Sequence, residues 1–111
     1  MAEMLEHILR KIFPRRVSFD DGSYIEFFNR EAIMYAEKDG HRMEVVWYFQ
    51  QGRMRGRVLN ACDINHWDPP HETEFLSSIK KEEIQRKIVE YCRKRRIPLE
   101  IRETGDGYHN G

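Results

Sequence analysis

The stretch that decides the fold is residues 32–58, which read AIMYAEKDGHRMEVVWYFQQGRMRGRV. Short runs of apolar and β-branched residues flank Asp39-Gly40 and Gln51-Gly52. Glycine as the second residue of a two-residue turn tolerates the positive φ angle that such hairpins need. The pattern therefore predicts three consecutive antiparallel strands, over residues 32–37, 42–50 and 53–62.

Two-residue turns at these positions would decide which side chains share a face of the sheet. Trp47, a very large side chain, would then lie opposite Gly56, which has none. One face would consist of Met34, Val45, Trp47, Phe49, Met54 and Val58. The other would consist of Ile33, Tyr35, Val46 and Tyr48 beside Arg53, Arg55 and Arg57. Because side chains alternate along a strand, a slip of one residue would exchange the two faces.

Further elements precede this stretch. Apolar residues recur at helical spacing over residues 2–13, which predicts an amphipathic helix that ends before Pro14. An Asp21-Gly22 turn then joins two predicted strands, residues 17–19 and 24–28.

After the strands, residues 63–79 predict a loop, because Trp67-Asp68-Pro69-Pro70 continues neither a helix nor a central strand. Residues 80–96 predict a second helix with an apolar stripe of Ile84, Ile88, Tyr91 and Cys92. Residues 97–101 predict a short edge strand. The predicted fold is α+β, a four- to five-stranded, mostly antiparallel meander with an N-terminal and a C-terminal helix.

The chain has 111 residues, which predicts one domain over residues 1–102 and a disordered tail over residues 103–111. Lys+Arg and Asp+Glu both total 19, so the formal net charge is zero. A general attraction to nucleic acid or to an anionic membrane is therefore not expected. No apolar run is long enough for a membrane span and no signal peptide is visible, so we expect a cytoplasmic, bacterial protein.

Cys62, His66 and His71 are the candidate metal ligands or reactive groups. They lack the paired spacing of common zinc sites, and no helix N-terminus is predicted beside Cys62 to activate its thiol. We expect Cys62 and Cys92 to be buried as small apolar side chains. The sequence thus predicts no enzyme, no cofactor and no catalytic residue, and it leaves metal binding by Cys62, His66 and His71 open.

The candidate partner-binding residues are Tyr35, Tyr48, Arg53, Arg55, Arg57 and Trp67. Tryptophan on a loop is a common anchor in protein–protein interfaces, although Trp67 could instead fold back over one end of the core. The second sheet face is apolar enough to need a cover, which could be the N-terminal helix, a second copy of the chain or a partner protein. Tyrosine and arginine on an open sheet could alternatively bind single-stranded nucleic acid.

Residues 67–72, Trp-Asp-Pro-Pro-His-Glu, are followed by the predicted helix and by Ile97-Pro98-Leu99-Glu100-Ile101. This arrangement resembles small bacterial α+β proteins, several of which are thought to be immunity proteins of polymorphic toxin systems. The resemblance covers less than half of the chain and implies a non-enzymatic protein that binds a toxin. The main prediction is accordingly a small protein-binding protein of the immunity type. The alternative is a single-stranded nucleic-acid-binding module that uses Tyr48, Arg53, Arg55 and Arg57.

Overall fold

The structure is a computed structural model, which describes residues 16–29, 31–50, 52 and 56–103. The predicted N-terminal helix (residues 2–13) lies outside the described residues, as do residues 104–111 of the predicted tail. Within the described residues, no helix is both long and apolar enough to cross a membrane.

Two β-sheets and one long helix make up the described part of the chain. The first sheet has four antiparallel strands in sequence order: β1 (Arg16–Ser18), β2 (Tyr24–Asn29), β3 (Ala32–Ala36) and β4 (Arg42–Val46). The second sheet has three strands: β5 (Tyr48–Phe49), β6 (Arg57–Asn60) and β7 (Leu99–Arg102). A 3-10 turn over Ala61–Asp63 follows β6, and helix α1 spans Ser78–Arg95. The α+β class and the antiparallel meander are confirmed, but the strands divide between two sheets.

The β3–β4 turn contains three residues, Lys38 to Gly40, and the predicted two-residue turn is wrong. Glu37 N–H donates to His41 O at 2.8 Å, and Gly40 N–H donates to Glu37 O at 3.0 Å. Gly40 has a φ of 102° and is the third loop residue, the usual place for a left-handed residue in a three-residue hairpin. The β1–β2 turn has the same geometry, with Gly22 at a φ of 89°.

The longer turn shifts the register of β3 on β4 by one residue. Ile33 pairs with Val45 and Tyr35 pairs with Met43, so these four side chains share the buried face. The predicted placement of Ile33 and Tyr35 on the second face is therefore wrong. Val46 faces outward and is exposed, while Trp47 is buried as predicted.

The predicted Gln51-Gly52 two-residue turn is also wrong. Phe49 pairs with Arg57, and Gln50 N–H donates to Gly56 O at 2.9 Å, so Phe49 does not pair with Met54 and Gln50 does not pair with Arg53. The predicted strand 42–50 is interrupted at Trp47, whose N–H donates to Glu31 O at 2.9 Å. The predicted faces assumed one continuous strand over residues 42–50, but β4 and β5 belong to different sheets. The face on which a β6 side chain lies therefore cannot be read from β4, and Trp47 does not pair with Gly56.

Helix α1 confirms the predicted C-terminal helix and its buried stripe. Ser77 is the N-cap, and its Oγ accepts a hydrogen bond from Lys80 N at 3.1 Å. The helix ends at Arg96, which has left-handed backbone angles. Its buried residues are those predicted, Ile84, Ile88, Tyr91 and Cys92.

One cluster of buried side chains joins both sheets and α1. Trp47 lies at its centre with its ring centroid 6.5 Å from that of Tyr91. The cluster consists of Val17, Ile25, Ile33, Tyr35, Met43, Val45, Trp47, Leu59, Ile64, Trp67, Leu76, Ile84, Ile88, Tyr91 and Cys92. Burial of Cys92 is confirmed, whereas Cys62 is exposed and its predicted burial is wrong.

Candidate functional site

The predicted partner-binding residues occupy different environments. Tyr35 and Trp67 are buried, with their ring centroids 6.2 Å apart, so Trp67 covers one end of the core. Tyr48 is half exposed. Arg53 and Arg55 lie outside the described residues. A binding role for the exposed members of the set stays a prediction.

Three exposed apolar side chains, Val46, Tyr48 and Phe49, lie within four consecutive residues, and we term these residues the 46–49 patch. Tyr48 and Phe49 are neighbours in the edge strand β5, so their side chains project from its two sides. The guanidinium of Arg57 lies 4.3 Å from the ring centroid of Phe49, and its Nη1 donates to Gly56 O at 3.1 Å. A cation is thus held against one of the exposed rings.

Two exposed apolar side chains were not singled out by the sequence. Phe75 is 88% exposed and Ile79 is 77% exposed, the highest values among the large apolar residues of the described part of the chain. They flank the N-cap of α1, whereas Leu76 between them is buried. Ile79 does not follow the spacing of the buried stripe of α1, and that mismatch is the sequence signal that could have identified it.

Residues 67–71 are held against the open edge of β4. Asp68 N–H donates to Arg42 O at 2.8 Å, and the Asp68 carboxylate accepts from Glu44 N at 3.1 Å. The ring of Trp67 meets that of His41 edge-on at 5.1 Å between centroids. The loop thus satisfies backbone groups of an edge strand and shields that edge from other chains.

This loop brings His71 and Glu74 beside His41, which follows the β3–β4 turn, and we term these three residues with Asp39 the histidine cluster. The His41 ring bridges two carboxylates: Nδ1 lies 2.8 Å from Asp39 Oδ1, and Nε2 lies 2.8 Å from Glu74 Oε1. The His71 ring stacks on the His41 ring with centroids 3.7 Å apart. The cluster offers two imidazoles and a carboxylate within reach of a single cation.

The hydrogen bonds to Glu74 and then to Asp39 raise the pKa of His41 above its ordinary value, because both carboxylates favour the charged imidazolium. The amide and the ring of His41 in turn lower the pKa of Asp39. A charged His41 therefore links the β3–β4 turn to the loop that carries Glu74.

We expect this link to weaken as the pH rises. A pKa raised in the folded state contributes stability that is fully present below the unfolded pKa, about 6.5, and is lost as the pH rises through the raised value. The melting temperature in metal-free buffer should therefore fall across this range for the native protein and change less for His41→Gln. His66→Gln is the control, because His66 is exposed and bonds only to Asn65 among the described residues. An unchanged pH profile in His41→Gln would contradict the link.

A second polar cluster holds α1 against the β1–β2 turn. Lys87 Nζ lies 2.5 Å from Asp21 Oδ2, 2.8 Å from Ser23 Oγ and 3.3 Å from Glu83 Oε2. The hydrogen bond from Lys87 holds the pKa of Asp21 well below its usual range. Burial raises the pKa of Tyr35, whose hydroxyl donates to Glu37 Oε2 at 2.9 Å. These contacts have a structural purpose, because they satisfy polar groups at the edge of the core.

The candidate metal ligands Cys62, His66 and His71 do not come together among the described residues, where His71 groups instead with His41 and Glu74. Burial raises the pKa of the Cys92 thiol to about 12, so this thiol is protonated and unreactive at neutral pH.

A family model described as Immunity protein 74 matches residues 30–102. The chain belongs to this family. The Immunity protein 74 match starts after β2 and includes the 46–49 patch, the histidine cluster, α1 and β7. It confirms the resemblance to immunity proteins that residues 67–72 indicated. Comparisons with curated proteins and with solved structures found no match.

Proposed function

We propose that this chain is a non-enzymatic immunity protein, which neutralises a toxin protein by binding to it. The observation that carries the proposal is membership of the Immunity protein 74 family over residues 30–102. This range contains most of the exposed apolar side chains described above. We place the interaction in the cytoplasm, where a bacterium would need protection from its own toxin.

The 46–49 patch is the surface that we propose for toxin binding. Tyrosine and arginine are enriched among the residues that dominate interface energies, and Tyr48 and Arg57 both lie here. The backbone of the patch is fixed by the buried Trp47 within the same segment and by the pairing of β5 with β6. An anchored surface loses little conformational entropy on binding, which favours affinity. Arg53 and Arg55, close in sequence, remain proposed contributors, whereas Tyr35 and Trp67 are buried and are left out.

The patch would form the centre of a larger contact. A standard interface buries about 800 Å² on each partner, and a few central residues supply most of its energy. Occupation of the toxin surface by a protein of this size would block access to the toxin without any chemistry by the inhibitor. A second copy of the chain is the other partner that could cover the same patch.

We expect Tyr48→Ser and Phe49→Ser each to weaken toxin binding at least tenfold, because central aromatic contacts typically contribute about 2 kcal/mol or more. Calorimetric titration against the cognate toxin would measure the effect, and growth of cells expressing that toxin would report neutralisation. The matched control is Val89→Ser, which removes an equally exposed apolar side chain from α1.

The outcomes separate the possible roles of the patch. If Val89→Ser weakened toxin binding as much as Tyr48→Ser and Phe49→Ser do, the effect would not be specific to the 46–49 patch. That result would contradict the assignment of the toxin contact to this patch. Tight toxin binding by Tyr48→Ser, together with loss of self-association in sedimentation experiments, would assign the patch to a second copy. The nucleic-acid alternative stays a prediction, since two of its three arginines lie outside the described residues.

A further inference from the structure

We propose that His41, His71 and Glu74 form a binding site for a divalent transition-metal ion such as Zn²⁺. Ligand atoms of the three side chains all lie within 4.8 Å of one another. His41 Nε2 lies 2.8 Å from Glu74 Oε1, and His71 Nε2 lies 3.9 Å from Glu74 Oε2. Tetrahedral zinc with bonds of about 2.0–2.1 Å separates neighbouring ligand atoms by about 3.3 Å, so a small movement of the side chains would bring the three groups to that spacing.

The donor types select the class of ion. Two imidazole nitrogens and one carboxylate oxygen form a ligand set that zinc uses in proteins, with the fourth position open to water. Magnesium and calcium prefer sites made of oxygen ligands only. The set therefore favours zinc and its neighbours in the first transition series.

Asp39 supplies the outer contact that metal-bound histidines usually have. Its Oδ1 lies 2.8 Å from Nδ1 of His41 and also accepts from the His41 backbone amide at 3.0 Å. A carboxylate on Nδ1 fixes the tautomer that presents a free Nε2 lone pair and makes that nitrogen more basic. Asp39 is thus a positioning residue, which acts on the ion through His41.

His71 is the group that most needs another partner. Neither of its ring nitrogens has a hydrogen-bond partner among the residues that the structure describes, and its Nδ1 is enclosed. The His71 and His41 rings stack at an interplanar angle of 22°. His41 can keep its contact with Asp39, and His71 must turn about χ2 to direct Nε2 at an ion held between His41 and Glu74. This turn breaks no hydrogen bond of His71 among the described residues.

The backbone positions the ligands independently of the ion. Glu74 N–H donates to His71 O at 3.0 Å, and this turn keeps both residues on the same side of the loop. The bonds of Asp68 to β4 fix the loop beside His41. An ion would therefore cross-link the loop to the β3–β4 turn. It would also fix the position of Phe75, which directly follows Glu74.

Coordination replaces an existing contact of His41. Zinc binds a neutral imidazole nitrogen, so the ion would take the place of the proton between His41 Nε2 and Glu74 Oε1, which lie 2.8 Å apart.

Titration of the metal-free full chain with zinc chloride in a calorimeter tests the proposal, with thermal unfolding as a second measurement. We expect one zinc ion per chain and a higher melting temperature when zinc is bound. His71→Ala and Glu74→Gln should each lower the affinity at least tenfold, and Asp39→Asn should lower it about 10–100-fold. His66→Ala is the matched control and should bind zinc as the native chain does, because His66 lies outside the cluster.

An absence of zinc binding by the native chain overturns the proposal, as does an equal loss of affinity in His66→Ala and His71→Ala. Should His71→Ala fail to fold, Glu74→Gln decides the matter, because the Glu74 side chain is half exposed and its loss leaves the core intact. Native affinity in a folded Glu74→Gln would place the zinc elsewhere and overturn this assignment.

Discussion

Trp47→Ala should lower the free energy of unfolding by about 3–5 kcal/mol, the usual cost of truncating a buried aromatic side chain. Trp47 is only 1% exposed, its ring contacts Tyr91 of α1, and the Arg57 guanidinium lies 5.6 Å from its ring centroid. It is also the residue at which the chain passes from the first sheet to the second. Urea unfolding followed by circular dichroism would measure the loss.

The neighbouring residue supplies the control. Val46 faces solvent from the outer face of β4, so Val46→Ala should change the free energy of unfolding by about 0.5 kcal/mol or less. A loss in Val46→Ala as large as that in Trp47→Ala would mean that the two faces of this strand are assigned the wrong way round.

Lys87→Met should destabilise the fold by about 2–3 kcal/mol. The Lys87 side chain is only 11% exposed, and its removal would leave Asp21, Ser23 and Glu83 without their shared donor. Breaking a fully buried ion pair costs about 3–5 kcal/mol, and the effect here is smaller because Asp21 is half exposed. Arg86→Met is the control, since Arg86 is an exposed cation on the same helix.

The pH dependence of Lys87→Met distinguishes lost charge pairing from lost packing. A carboxyl with a depressed pKa in the folded state contributes stability that is present above its unfolded pKa, about 3.9, and is lost as the pH falls through its folded value. The native protein should lose this contribution of Asp21 below about pH 4. The difference between the native protein and Lys87→Met should therefore narrow in acid, and a constant difference from pH 7 to pH 2 would point to packing alone.

Helix α1 was predictable because its signals are local. The stripe of Ile84, Ile88, Tyr91 and Cys92 repeats at helical spacing, and a serine N-cap precedes it. The predicted start at residue 80 is two residues late, since the helix begins at Ser78 and Ser77 is its N-cap. Such a signal needs no knowledge of what the helix packs against.

The turns show where sequence reasoning reached its limit. Asp-Gly fits a two-residue turn and a three-residue turn equally well, and the choice depends on whether glycine is the second or the third loop residue. Asp39 and Asp21 both accept a hydrogen bond from the amide two residues later, which favours the three-residue form. Asp-Gly occurs in both turns, before Ser23 and before His41. The sequence alone does not show the side-chain hydrogen bonds of these aspartates, so it did not distinguish a two-residue turn from a three-residue turn.

The histidine cluster could not be predicted because its members are distant in sequence. His41 and His71 meet only after Asp68 has bonded to the edge of β4. The sequence offered only Cys62, His66 and His71 as candidate ligands, because they lie close together in the chain, although they lack the paired spacing of common zinc sites. The exposed 46–49 patch was predicted in part, since Tyr48 was selected and Phe49 was assigned to the core face.

The parallel pairing of β6 with β7 has a consequence for synthesis in the cell. Leu59 pairs with Ile101, about forty residues later, after the whole of α1. During translation, β5 and β6 emerge from the ribosome long before the strand that completes their sheet. A nascent or prematurely terminated chain would leave the backbone edge of β6 open to aggregation, and completion of the second sheet would have to wait for the last strand.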